Sequence, residues 1–241
     1  MTLKKSFVVL KTTYVRWLLS SRLLIFAFAY MFFYVYFIEP LISLSDYFAT
    51  PLNSVEPFVS LMNSAYFLPL SALTYLILIS DYPKLDDSGT FILFRTGRYA
   101  WILGQIWFLI CSAMTFISFL LISSMLTVMS RSFLINAWSL VSKYTLKPEN
   151  AALRPDFPFA IIDSSVINQS RPFEAVMHSV TLILMFMLSV GLIQIIFALI
   201  RKKIFGIFVN LSFIATGLVL WAVDILSLIH ISEPTRRRGI S

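Results

Sequence analysis

The chain has 241 residues, of which 59% are hydrophobic and 13% charged, with 19 Lys and Arg against 12 Asp and Glu and a formal net charge of +7. Soluble domains carry roughly 45–50% apolar and about 25% charged residues, and a fold of this length has too little interior to hide the excess. With a mean hydropathy of +0.85, this excludes a soluble domain, a disordered or collagen-like chain and a nucleic-acid-binding protein. It predicts an all-α, polytopic transmembrane helical bundle. Cys111 is the single cysteine and sits in an apolar run, so neither an intrachain disulfide nor a cysteine metal cluster can form.

In chain order, residues 3–20 come first. Phe7, Leu10, Tyr14, Trp17 and Leu18 recur at helical spacing, while Lys4, Lys11, Thr12 and Arg16 give a polar side and Lys5 adds charge. This predicts an interfacial helix along the membrane surface, with a longer first transmembrane helix as the alternative. Five apolar stretches then approach the roughly 20 residues a spanning helix needs: about 22–38, 61–80 with a kink at Pro69, 101–128, 176–200 and 204–225. An odd number of spans leaves the bundle one short, so five of an expected six are visible.

Orientation follows from Lys and Arg. The segment before the first span, the 82–98 connection and Arg201-Lys202-Lys203 are basic, whereas the connection from Glu39 to Ser60 has no Lys or Arg. The positive-inside rule puts the basic segments and the N-terminus in the cytoplasm. The 130–175 region then lies outside; its helical spacing predicts a helix over 131–144, and Pro148, Pro155, Pro158 and Pro172 predict irregular chain beyond. From Leu226 to Arg236 the string LSLIHISEPTR resembles the translation of a transposase end used in building sequencing libraries. Residues 226–241 are therefore expected to be non-native, with the native membrane body at 1–225.

No nucleophile elbow, paired histidines, phosphate loop or dinucleotide fingerprint is present. The expectation is no enzyme, no metal site and no cofactor. His178 reads as a boundary residue, Asp224 as an interfacial or pathway acid, and Gln105, Gln194 and Asn210 as polar groups inside the bundle. The second basic connection carries the sharper signal. Asp81 and Pro83 end the second span, and Asp86-Asp87-Ser88-Gly89 form a polar turn. Phe91 to Phe94 are apolar, and Arg95 and Arg98 bracket Thr96-Gly97 ahead of Trp101. An amphipathic element so near the membrane, with both signs of charge, fits a cleft on a soluble partner.

With these features the chain resembles the ABC-2-type permease family of bacterial ATP-binding-cassette transporters. The resemblance covers most of residues 1–225 and rests on architecture and on the Arg95-Thr96-Gly97-Arg98 string followed by Trp101. It implies six spans, an interfacial helix carrying Lys4, Lys5, Lys11, Arg16 and Trp17, and a coupling segment carrying Tyr82, Lys84, Asp86, Asp87, Arg95 and Arg98. It further implies an exporter subunit of the bacterial cytoplasmic membrane that sits among membrane lipids and dimerises with itself or a related permease. ATP would be hydrolysed on separate ABC ATPase subunits. The rival expectation is a non-transporting accessory, immunity or signalling protein that uses the 130–175 region as a binding surface.

Overall fold

The computed structural model describes residues 2–64, 67–84, 87–147, 149–150 and 162–231. It is 84% helical. The elements are α1 (Thr2–Leu18), α2 (Leu24–Phe33), α3 (Glu39–Phe48), β1 (Leu52–Asn53), α4 (Glu56–Asn63), α5 (Phe67–Ile79), α6 (Asp87–Thr96), α7 (Arg98–Val128), β2 (Ser132–Phe133), α8 (Leu140–Thr145), α9 (Ser164–Gln169), α10 (Pro172–Leu199) and α11 (Lys203–Ile231). Four stretches are long and apolar enough to cross a membrane: Ser21–Phe48, Arg98–Arg131, Pro172–Leu199 and Lys203–Leu220. The bent pair α4–α5 makes a fifth. Only 17–39% of the most apolar window in each of the four is buried within the chain, so most of their apolar surface requires lipid. The chain is a transmembrane helical bundle.

The first span runs ten residues past its expected end at Ile38. The Glu39-Pro40 pair reads as a stop because proline lacks an N–H and clashes with the carbonyl four residues back. Instead, Tyr34–Ile38 widens into a π-helical turn just ahead of Pro40, absorbing that clash, and the helix continues to Phe48. It ends at Ala49 in the left-handed region (φ 49°), where Thr50 N–H donates to the Ser45 carbonyl at 3.2 Å, a Schellman-type closure made without glycine.

The second span also departs from expectation. Pro69 makes no kink, because it falls in the first turn of α5, where helical N–H groups have no intrahelical acceptor. The bend lies before α5, where α4 turns by 90°. Thirteen residues make α5 only about 20 Å long, short of the roughly 30 Å hydrocarbon core. The shortfall is met by α4, whose residues Glu56 to Met62 are all buried against α7, α10 and the π-helical turn. A chain turn beside lipid is tolerated only when protein covers it, and α4 is so covered.

The core is aromatic. Trp17, Phe26, Phe33, Phe58, Phe67, Phe108 and Phe116 are buried together, with edge contacts such as Phe33–Phe67 at 4.3 Å between ring centres. Tyr75, wholly buried, shares its hydroxyl with Ser112 Oγ at 2.9 Å and donates to the Leu109 carbonyl at 3.1 Å, so its polar end is satisfied inside the bundle. The fourth and fifth expected spans appear as α10 and α11. The backbone of α11 runs helical through Ile231, into the stretch expected to be non-native; residues 232–241 lie outside the described residues.

Candidate functional site

The three basic segments expected on one face meet at one end of the bundle. Arg22, at the start of the first span, pairs with the Asp81 carboxylate beyond α5 and donates to the Ile77 carbonyl at 2.7 Å. Lys203, at the start of α11, donates to the Asp81 carbonyl at 2.9 Å. Inside this end, Gln194 Nε2 reaches the carbonyls of Ser80 and Lys203, each at 3.4 Å, and Asn210 Nδ2 approaches Gln194 Oε1 at 3.5 Å. Gln194 and Asn210 are wholly buried. They tie the end of α5 to the α10–α11 turn rather than lining the middle of the membrane. Gln105 lies at this end too, with Nε2 at 3.4 Å from Thr13 Oγ1.

The coupling segment divides between anchors and exposed groups. Tyr82 is buried, its ring 5.0 Å from that of Phe108, and the Lys84 ammonium lies 5.5 Å from the Tyr82 ring centre. Tyr82 is thus a fastening for the segment, not part of its outer surface. Trp101 is also buried, so it packs inside the bundle. From there α6 turns sharply into α7 at Gly97 (φ 87°, ψ 155°), a backbone conformation open essentially to glycine alone. Gly97 N–H donates to the Leu93 carbonyl and Trp101 N–H to the Gly97 carbonyl, at 2.9 and 3.1 Å, so the corner is closed on both sides. Phe91, Phe94 and Arg95 on α6 and Arg98 and Tyr99 at the start of α7 are exposed. The Asp87 side chain is not described, and Asp86 lies outside the described residues.

The helix expected over residues 3–20 forms as α1, and its large residues divide: Leu10, Tyr14 and Trp17 pack on the core, whereas Phe7 and Leu18 face outward. Phe7 is 64% exposed and Leu18 37%, while Ser6, Val9 and Trp17 are buried against α7 and α5. A Cβ placed on Gly104 would lie 2.6 Å from Val9 Cβ and 2.8 Å from the Ser6 carbonyl oxygen. The two helices therefore meet through small residues, the usual condition for close approach in membranes. Trp17, expected at the interface, donates from Nε1 to the Leu78 carbonyl at 3.1 Å and has no exposed surface. Lys4, Lys11 and Arg16 are exposed and Lys5 half-buried. Leu3, Phe7, Val8 and Val15 remain exposed beside them, which leaves α1 an outward apolar strip suited to a membrane interface.

Between α6 and the α10–α11 turn runs an open groove of about 1150 Å³. Lys84, Arg201, Lys202 and Lys203 stand on it with Asp81, and Leu93, Ile204, Phe205 and Phe208 supply its apolar lining. Arg201 holds a left-handed backbone conformation (φ 60°) that closes α10, with Lys202 N–H donating to the Phe197 carbonyl at 2.9 Å.

The opposite end carries a group that the sequence reading passed over. Glu56 is wholly buried. Ser139 N–H donates to its Oε1 at 2.6 Å and Ser139 Oγ to its Oε2 at 2.7 Å, while Asn53 N–H approaches Oε2 at 3.3 Å. Asn53 Nδ2 in turn donates to the Ile135 and Ala137 carbonyls, the latter at 2.8 Å. These bonds, and the parallel pairing of Leu52–Asn53 with Ser132–Phe133, draw residues 132–139 out of the helix expected over 131–144; only Leu140–Thr145 is helical, with Ser139 as its cap. The signal was present as Asn53-Ser54-Val55-Glu56-Pro57, a capping-box spacing followed by a proline that starts a helix.

Asp163 caps α9 and accepts from Ser165 N–H at 2.9 Å, which holds its carboxyl below the usual carboxylate range. Arg131 pairs with Asp46. Residues 148 and 151–161, with three of the expected breaking prolines, lie outside the described residues. His178 is exposed on α10, and among the described residues no three His, Cys, Asp or Glu side chains converge on a common point. The side chain of Asp224 is not described. No protein-family model, curated protein or solved structure matches the chain.

Proposed function

We propose that the chain is the membrane-embedded permease subunit of an ATP-driven exporter of the ABC-2 type, working as a homodimer or beside a related permease in the bacterial cytoplasmic membrane. The observation that carries this reading is the corner at Gly97. A ten-residue helix presents Phe91, Phe94 and Arg95 outward and is fixed by a closed turn to α7, which opens on the exposed Arg98 and runs 31 residues through the bundle. A force on α6 therefore passes to a helix about 46 Å long instead of dissipating in a loop. ATP binding would draw two ATPase subunits together, and each would move the α6 docked to it. The conformations linked in this way must bind substrate unequally, because a ligand with equal affinity for both shifts nothing. On this reading the basic end is cytoplasmic, in accord with its Lys and Arg content, and ATP is hydrolysed on the partner.

The test is co-purification. Tagged protein, extracted in mild detergent from cells expressing its neighbouring genes, should carry a stoichiometric ATP-binding-cassette ATPase. The double variant R95E/R98E should reach the same membrane abundance with the ATPase reduced at least tenfold. Recovery of an intact complex free of such an ATPase, or unchanged association of the double variant, overturns the proposal. The second reading, an accessory, immunity or signalling protein, is favoured by the hydrogen-bonded cap around Glu56, which gives the opposite end a defined surface.

A further inference from the structure

We infer that the groove between α6 and the α10–α11 turn is a binding site for an anionic phospholipid, with its phosphate on the cations and an acyl chain along the aromatic lining. The inference does not depend on the transport reading, since the exposed stripe of α6 proposed for a partner is a different face from the one that lines the groove. Thr90 and Leu93 line the groove, whereas Phe91, Phe94 and Arg95 are exposed and are not part of its lining.

The argument begins with charge. Lys84, Arg201, Lys202 and Lys203 stand over one groove with a single acid, Asp81. The Asp81 carboxylate is already engaged by Arg22 from outside the groove, so the lining retains a strong positive excess. Next comes the lining itself. Ile204, Phe205 and Phe208 are 73%, 57% and 61% exposed immediately beside these cations. Water suits the ammonium groups and not the rings; a molecule with an anionic head and an apolar tail suits both. Size and position agree with this. The groove exceeds the roughly 300–1,000 Å³ typical of small-molecule pockets, is open, and lies where the chain leaves the spans, the level of a lipid headgroup.

Arg201 supplies an independent sign. It occupies the left-handed position that ends α10, where glycine is the least strained residue. A cation held there at a conformational cost fits a residue kept for its side chain. Basic pockets between transmembrane helices at the cytoplasmic side are a recognised setting for acidic headgroups, and each Lys or Arg near an anionic surface is worth about fivefold in partitioning.

The experiment titrates the full-length protein in neutral detergent with dioleoyl phosphatidylglycerol, dioleoyl phosphatidylcholine or inorganic phosphate, reading bound lipid by native mass spectrometry and the thermal midpoint in parallel. Phosphatidylglycerol should bind at least tenfold more tightly than phosphatidylcholine and raise the midpoint. R201Q/K202Q should abolish that preference, and R95Q/R98Q, at exposed positions on α6 and at the first residue of α7, should keep it. F208S, which removes part of the lining without touching charge, should weaken both lipids together. Equal affinity for the two lipids overturns the proposal, as does an unchanged preference in R201Q/K202Q. Inorganic phosphate reproducing the full effect would assign the groove to a free anion. Loss of lipid binding on adding a partner ATPase to R95Q/R98Q would assign it to protein. Either result also overturns the lipid assignment.

Discussion

Two buried positions show how much rests on single side chains. Glu56 is a carboxylate with no exposure whose oxygens take donors from Ser139 and Asn53. Removing it strands the Ser139 N–H in the interior, where an unmet donor costs about 1–3 kcal/mol beyond the lost packing. Glu56→Ala should therefore destabilise the protein by about 2–4 kcal/mol, and Glu56→Gln by less, since the amide oxygen keeps one donor while its NH2 faces another. Unfolding followed by pulse proteolysis in micelles reads this directly; a loss below about 0.5 kcal/mol in the Ala variant would mean the cap is not held through Glu56. At Gly104 the limiting factor is space. A Cβ there meets Val9 and the backbone of Ser6, and backbone cannot step aside as the end of a long side chain can. Gly104→Ala should cost about 1–3 kcal/mol and expose the Lys4, Lys5 and Lys11 bonds to trypsin. Gly217→Ala is the control, because nothing lies within 4 Å of its added Cβ. Equal behaviour of the two variants would show that α1 does not depend on close approach to α7.

At the scale of elements, helix ends and breaks are governed by devices that leave faint marks in sequence. The Pro40 clash is absorbed by a π-helical turn, and two helices stop on Ala49 and Arg201 in left-handed conformations. Replacing Ala49 with glycine removes about 1–2 kcal/mol of strain and gives back part of it through the freer unfolded chain. Ala49→Gly should be more stable by about 0.5–1 kcal/mol, measured as a raised unfolding midpoint. A fall in the midpoint would mean that the helix end is set by something other than the Ala49 backbone. The α4–α5 bend follows a similar logic: a short span is acceptable because a second short helix, buried on nearly all sides, covers its open end.

Across the whole molecule the two ends divide the work. The basic end collects exposed charge, an outward aromatic–arginine stripe and an amphiphilic groove; the opposite end collects satisfied hydrogen bonds around a buried acid. The first leaves charged and apolar side chains outward, and the proposed ATPase and lipid tests probe two parts of it separately. The second is built for rigidity. Between them, apolar helix surface left outside the bundle specifies lipid as the surrounding solvent, since so much exposed hydrocarbon would drive aggregation in water.

Composition and the spacing of charge determined that the protein is a helical membrane bundle and which basic segments share an end, although they put the end of the first span ten residues short of Phe48. Those properties follow from transfer free energy, which is nearly additive along the chain. The sequence also marked Tyr82 to Arg98 as a segment apart, although it did not separate the buried Tyr82 from the exposed Arg95 and Arg98. Only the tertiary structure decided that Trp17 and Trp101 are core residues, that small residues seat α1 on α7, that residues 132–139 leave their helix to satisfy Glu56, and that Lys84 faces Arg201 and Lys202 across a groove. Each of these depends on partners distant in sequence. A pattern read within one helix records how apolar a face is, not whether lipid or protein will cover it.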